Sequence, residues 1–277
     1  NNISMIGNKY ILETKISNGQ FGQIYKGKHK RTQEQVAIKC ESLDSPLLLI
    51  KQEATLLNYL YNKGCRNIPF VYYYGVFKNS STLVMPYYQE TLYNFLKNNP
   101  SNEKILQMTI KMINILEEVH NQGVIHRDIK TENFMLHNEE IYLIDFGLSS
   151  IFLDENMNHI PGKHNSSYII GTPKFISVHV HDGKDPSRRD DIISLLYLYV
   201  YMMNDSYLPW ENVKQEEDSY EPHHILHSKN QERKKIKEKF QNNIHDEAKE
   251  KTIFDYLYSL QYDEVPRYQY IIEVLSD

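Results

Sequence analysis

The pattern of apolar and polar positions changes character near residue 85. Before it, residues 9–16 and 23–29 read as strands joined by a hairpin that contains Gly19 and Gly22. A third strand holds Val36-Ala37-Ile38-Lys39, where alternation puts Ala37 and Lys39 on one face and turns Cys40 to the other. Residues 47–61 predict a helix carrying Glu53, and Leu83-Val84-Met85-Pro86-Tyr87-Tyr88 is a strand running into a proline. From about residue 91 the spacing becomes helical. Ile105, Met108, Met112, Leu116 and Val119 mark one face of a helix over 102–122, with Ser101 as its cap and Gly123 at the left-handed C-terminal position. Residues 195–203 form the longest apolar run, too short for a bilayer and read as a buried helix. Residues 230–240 predict a lysine-rich helix bearing Arg233, Lys234, Lys235, Lys237 and Lys239. Glu232 and Glu238 interrupt it, so a solvated face is expected. The fold class is α+β, a small β-rich part with one major helix followed by a larger, mainly helical part.

Composition narrows this modestly. At 277 residues the chain exceeds one average domain and can form two lobes around a cleft. Forty percent hydrophobic residues suffice for a full core. A net charge of −5 argues against a nucleic-acid partner held by bulk positive charge. Two cysteines, Cys40 and Cys65, suggest no disulfide framework, and residues 1–7 lack the basic and apolar stretches of a signal peptide. The expectation is a cytoplasmic and/or nuclear protein with no membrane association.

The chemistry concentrates in His126-Arg127-Asp128-Ile129-Lys130-Thr131-Glu132-Asn133, followed twelve residues later by Asp145-Phe146-Gly147. Phosphoryl transfer from ATP needs Mg²⁺ ligands, a cation on the phosphates and a carboxylate facing the acceptor hydroxyl. The two segments supply these residue types. They resemble the catalytic loop and the metal-binding motif of protein kinases. Upstream, the hairpin Ser17-Asn18-Gly19-Gln20-Phe21-Gly22 can lay backbone N–H groups over phosphates, and Val36-Ala37-Ile38-Lys39 resembles the kinase third strand. Singly, each has a plain structural reading: a turn, an edge-strand lysine, a solvated helical glutamate. Five motifs in the right order across about 130 residues do not.

The resemblance implies a bilobal protein kinase fold and a single kinase domain over 1–277, with an N-lobe over 1–85, a hinge over 86–90 and a C-lobe over 91–277. It assigns Lys39 and Glu53 to the phosphates, Asn133 and Asp145 to Mg²⁺, Asp128 to the acceptor proton and Lys130 to the moving charge. Ile16, Gly19, Gly22, Ile24, Ala37, Met85, Pro86, Tyr88, Met135 and Ile144 would surround ATP. Met85 would stand as gatekeeper behind the adenine, and Tyr88 would offer its backbone N–H. Asp191 resembles the buried aspartate that receives backbone N–H groups from the catalytic loop. Lys130, two residues after Asp128, resembles serine/threonine kinases.

The C-terminal half lacks the usual Ala-Pro-Glu. It reads Gly171-Thr172-Pro173-Lys174-Phe175-Ile176-Ser177-Val178-His179, then Ser187-Arg188-Arg189-Asp190-Asp191, with Leu208-Pro209-Trp210 beyond. This is similar to the casein kinase 1 family. The resemblance implies a monomeric serine/threonine protein kinase using MgATP on protein substrates, acidic ones among them. Departures are Ser17 at the first glycine position of the phosphate loop, Thr131-Glu132 for Pro-Asp, and His179 for asparagine. Residues 211–221 carry Glu216, Glu217, Asp218 and Glu221 against Lys214, which predicts a weakened preference for pre-phosphorylated acceptors. Ser166, Ser167, Tyr168 and Thr172 are candidate modification sites. Rival readings are a catalytically weak or inactive pseudokinase scaffold, a small-molecule phosphotransferase and a dual-specificity enzyme.

Overall fold

The computed structural model describes residues 5–19, 22–163, 168–213, 223–225, 228–245 and 247–277. They form two compact units, Asn1–Glu90 with Met135–Gly147, and Thr91–Phe134 with Leu148–Asp277.

The first unit is built on a six-stranded antiparallel sheet. Its strands are β1 (Met5–Ile6), β2 (Tyr10–Gly19), β3 (Gly22–His29), β4 (Gln35–Ser42), β5 (Tyr73–Phe77) and β6 (Ser80–Pro86), in the order β1-β2-β3-β4-β6-β5. Val36 and Ile38 of β4 join Ile6, Tyr10 and Val84 in a core on one face, with Cys40 packed against it. The period of two therefore sends Ala37, Lys39 and Glu41 to the opposite face. There lies helix α1 (Leu49–Asn62), burying Ile50, Glu53, Ala54, Leu56, Leu57 and Leu60.

Helix α1 starts two residues later than the pattern predicts, because Leu48 adopts a left-handed φ of 43° and offers no side-chain cap. The cap comes from β4 instead. The buried Glu41 carboxylate accepts the N–H groups of Leu49 at 3.1 Å and Ile50 at 2.8 Å. A carboxylate on orphan N–H groups at a positive helix end is favourable twice over.

Met135–Gly147 clusters with the strand-rich residues, although it follows the first helices of the second unit in the chain. Hydrogen bonds explain this. Leu143 donates to the Asn67 carbonyl at 2.9 Å, and the Asn67 amide donates to the Ile141 carbonyl at 3.0 Å.

The second unit is mainly helical. It contains α2 (Leu92–Leu96), α3 (Asn102–Asn121), α4 (Val178–His181), α5 (Arg188–Met203), α6 (Ser228–Asn243), α7 (Lys249–Ser259) and α8 (Tyr268–Ser276). Ser101 caps α3 through the Lys104 N–H, and Gly123 takes a φ of 81°, both as the spacing predicts. Helix α5 is buried on nearly every side and packs against α3 and α7. Among the described residues no helix is long and apolar enough to cross a membrane.

Helix α6 corrects one expectation. Lys235 and Lys239 are exposed, but Arg233 and Lys237, one helical turn apart, are buried. Positions i and i+4 share a face, and here that face turns inward despite its charge.

Candidate active site

In the first unit, Lys39 on β4 and Glu53 on α1 meet Asp145. The Lys39 ammonium lies 2.8 Å from Glu53 Oε2 and 3.4 Å from Asp145 Oδ1. Burial alone would lower the lysine pKa, but the charges and hydrogen bonds of Asp145 and Glu53 outweigh it. The amine ends above its usual value and stays charged. Asp145 Oδ1 also accepts the Gly147 N–H at 3.4 Å. These groups line a recess shared by Gly22, Ile24, Lys39, Glu53, Asp145 and Gly147.

Gly22 is required where it stands. A Cβ there would come within 2.2 Å of the Cys40 carbonyl oxygen, so β3 approaches β4 only without one. Ser17, at the departing glycine position, pairs opposite Ile24 in β2 and has no left-handed backbone. Serine therefore carries no conformational cost at that site.

The residues expected around adenine all fall in this unit. Ala37 stands opposite Met85 in the β4–β6 register, and Pro86 ends β6. Tyr88 is buried, with its ring stacked on Tyr142 at 4.4 Å. Met135 and Ile144 are partly buried, Ile16 is half exposed, and Gly19 ends β2 beside the undescribed residues 20–21.

In the second unit, Asp128, Lys130 and Asn133 converge. Asp128 Oδ1 accepts the Thr172 hydroxyl at 2.7 Å, and its Oδ2 lies 3.3 Å from the Lys130 ammonium. The Asn133 amide nitrogen donates to the Asp128 carbonyl at 2.9 Å and to Oδ2 at 3.3 Å. Those two donations turn the nitrogen end of the Asn133 amide toward Asp128.

The loop beneath is fixed by Asp191. Its carboxylate accepts the N–H groups of His126 at 2.8 Å and Arg127 at 2.9 Å, and the His120 ring at 2.8 Å. His120 in turn meets the Tyr268 hydroxyl at 2.7 Å. Burial alone would raise the Asp191 pKa, but the His120 hydrogen bond and charge, with His126, hold it below the usual carboxylate value. The expected role of Asp191 as receiver of catalytic-loop N–H groups matches this geometry.

Both signature motifs hold backbone strain. Arg127 has a φ of 73° and Asp145 a φ of 61°, left-handed values that cost about 1–2 kcal/mol per residue. Such strain persists where surroundings over-determine it, as Asp191 does at Arg127. Gly171 supports the same site. Its φ is 105°, and a Cβ would lie 2.8 Å from the Arg127 carbonyl oxygen.

Lys174 forms an ion pair with Glu211 at 2.8 Å and lies 4.1 Å from the Tyr201 ring centroid. Lys214, Glu216, Glu217, Asp218 and Glu221 lie outside the described residues, as do Ser166 and Ser167. His179 lies 5.3 Å from Tyr258, and burial lowers its pKa.

Sequence reasoning passed over Glu41 and His120, and it placed Lys237 on a solvated face. Two of them carried a signal. Glu41 shares the strand face of Lys39 by alternation, and His120 sits four residues after Leu116 on the core face of α3. Lys237 carried none.

A family model for the protein kinase domain matches residues 10–263. The chain belongs to the protein kinase family, and its α+β architecture, a β-rich sheet followed by a helical region, is the fold of that family.

Protein kinase domains in general use ATP with Mg²⁺. The side chains fit that use. Asp145 and Asn133 each carry oxygen donors of the kind Mg²⁺ takes, and Lys39 is a charged amine in a recess beside a glycine-containing hairpin. Among the described residues no cluster of three His, Cys, Asp or Glu side chains could hold a metal alone.

Proposed function

We propose that this chain is a serine/threonine protein kinase of the casein kinase 1 type, transferring the γ-phosphate of MgATP to protein hydroxyls. The observation that carries the reading is Asp128, whose carboxylate is bonded at once by the Thr172 hydroxyl, the Asn133 amide and the Lys130 ammonium. Three partners hold it aimed, as a group that orients an acceptor hydroxyl must be. MgATP supplies the phosphoryl group and charge neutralisation; the protein supplies position. Lys39, kept in place by Glu53, would hold the α- and β-phosphates, and Asn133 and Asp145 would hold Mg²⁺. Ile16, Gly19, Gly22, Ile24, Ala37, Met85, Pro86, Tyr88, Met135 and Ile144 would enclose the nucleotide. Lys130 would balance charge on the oxygens in transfer. The single domain runs over 1–277 with its hinge over 86–90, acting as a monomer in the cytoplasm and/or nucleus.

Substrate choice follows from Lys174. Its ion pair with Glu211 already neutralises a basic position that matches the family pattern, which supports a weakened preference for pre-phosphorylated acceptors. The test is transfer of radiolabelled phosphate from MgATP to casein and to paired phosphorylated and unphosphorylated peptides, with Asp128→Asn as control and phosphoamino-acid analysis of the product. Label on Ser or Thr that vanishes in the variant supports the enzyme. MgATP binding without transfer would shift the reading to a pseudokinase scaffold. Strong dependence on an upstream phosphate would remove the substrate proposal.

A further inference from the structure

The buried amine of Lys237 has no place in the chemistry above. Its side chain is fully buried, and among the described residues it pairs with no carboxylate. Burying an amine this way is costly unless its donors are used. They are used on one short loop. Lys237 Nζ donates to the Pro173 carbonyl at 2.8 Å and the Ile176 carbonyl at 2.7 Å, and lies 2.9 Å from His181 Nε2. The rings of Tyr197 and Trp210 stand 5.3 and 5.4 Å from it. Trp210 donates its indole N–H to the Lys174 carbonyl at 2.7 Å. Three carbonyls of residues 173–176 are thus tied down from outside the loop, two of them by Lys237. The loop is closed internally by the Phe175 and Ile176 N–H groups on the Thr172 carbonyl, at 2.9 and 3.1 Å. At its start, the Thr172 side chain donates to Asp128.

We infer that Lys237 on α6 is a positioning residue that staples the backbone of residues 172–176, and through Thr172 sets how Asp128 meets a protein acceptor. The inference rests on the kinase reading for its consequence, not for its geometry. It does not depend on the charge of Lys237. Burial, with Arg233 nearby, lowers that pKa well below the lysine value. As an ammonium, Lys237 donates to both carbonyls and to His181. As a neutral amine, it donates to both carbonyls and accepts from a His181 Nε2–H. The neutral state leaves only an imidazole lone pair unpaired at the buried His181 Nδ1, and the staple is the same in both.

The test is Lys237→Met, an apolar side chain of similar length for the ring-lined site. Loss of two hydrogen bonds to a loop that contacts the acceptor is expected to raise the peptide KM by about tenfold. The KM for ATP and the thermal shift on adding MgATP should change by less than about twofold. Amide hydrogen exchange of Phe175 and Ile176 should accelerate by about tenfold while α3 keeps its protection. Exchange that rises equally across the helical unit would mark a merely structural lysine and overturn the inference, as would an unchanged loop. If the wild-type chain transfers no phosphate, the kinase reading fails while the exchange measurement still decides the staple. Should Lys237→Met give no soluble protein, Trp210→Phe carries the test. It removes one hydrogen bond to the same loop and keeps the ring contacts with Tyr197 and Phe240. A smaller rise in peptide KM and in loop exchange is then expected, and no change in either overturns the inference.

Discussion

The two units hold their candidate functional groups by different physics. In the first, one cation faces two carboxylates. Lys39 lies on Glu53 and Asp145, in a site where Glu53 is buried and Lys39 nearly so. In the second, one carboxylate is surrounded by donors. Asp128 takes a hydroxyl, an amide and an ammonium, and the loop under it is tied through backbone N–H groups to Asp191. An arrangement with a single cation has no substitute when that cation is lost. A hydrogen-bonded net loses one strand at a time. The first should therefore fail abruptly on substitution of Lys39, and the second should separate stability from chemistry.

The largest effect tests that separation. Asp128→Asn is nearly isosteric and still accepts from Thr172, though its amide nitrogen then faces the Asn133 and Lys130 donors, so stability should fall by no more than about 1–3 kcal/mol while phosphate transfer falls by about 10³-fold or more. A larger loss of stability would show that the net, too, depends on charge. Lys39→Met comes next. It leaves Glu53 and Asp145 facing each other, and removing one member of a buried pair costs about 3 kcal/mol. Denaturant unfolding of the first unit should show this together with a rise in the KM for ATP. Unchanged stability would mean that the two carboxylates find other partners, and the contrast with the second unit would collapse.

Asp191 sharpens the comparison through pH. The His120 hydrogen bond and charge hold the folded pKa of Asp191 below the usual carboxylate value. A group depressed on folding contributes stability above its unfolded pKa and loses it as pH falls through the folded one. Asp191→Asn should thus destabilise the protein at pH 7, with the gap to wild type shrinking below about pH 4. Thermal unfolding at pH 7 and pH 3 checks this, and a gap independent of pH would show that the ionised form contributes nothing. The smallest effect is Glu41→Gln. It keeps one acceptor for the α1 N–H groups and removes the charge, costing about 1 kcal/mol. A melting temperature equal to wild type would assign that helix start to packing alone.

Legibility followed distance along the chain. The catalytic octapeptide and the Asp-Phe-Gly could be read because their side chains are placed by a loop and a turn only a few residues long. The α3 face, its Ser101 cap and Gly123 could be read because helical periodicity repeats within one element. Helix α6 could not. Its lysines have the spacing of a solvated face, and only the carbonyls of residues 173 and 176, about sixty positions earlier, reveal that Lys237 points inward. The α1 start was misplaced for a similar reason, since its cap is a carboxylate on a neighbouring strand.

Taken alone, the chain determined which chemistry is on offer: a lysine, a carboxylate in an acceptor-facing motif and two side chains with oxygen donors suited to Mg²⁺, at spacings set by local backbone geometry. Only the tertiary structure decided what makes those groups usable. The Asp191 carboxylate reaches the catalytic loop from 65 positions away, and His120 finds Tyr268 across 148. Glu41 and Lys237 each satisfy backbone groups of another element. Contacts of this kind leave no period in the sequence, because a buried polar group is placed by whatever unsatisfied donor or acceptor folding brings beside it.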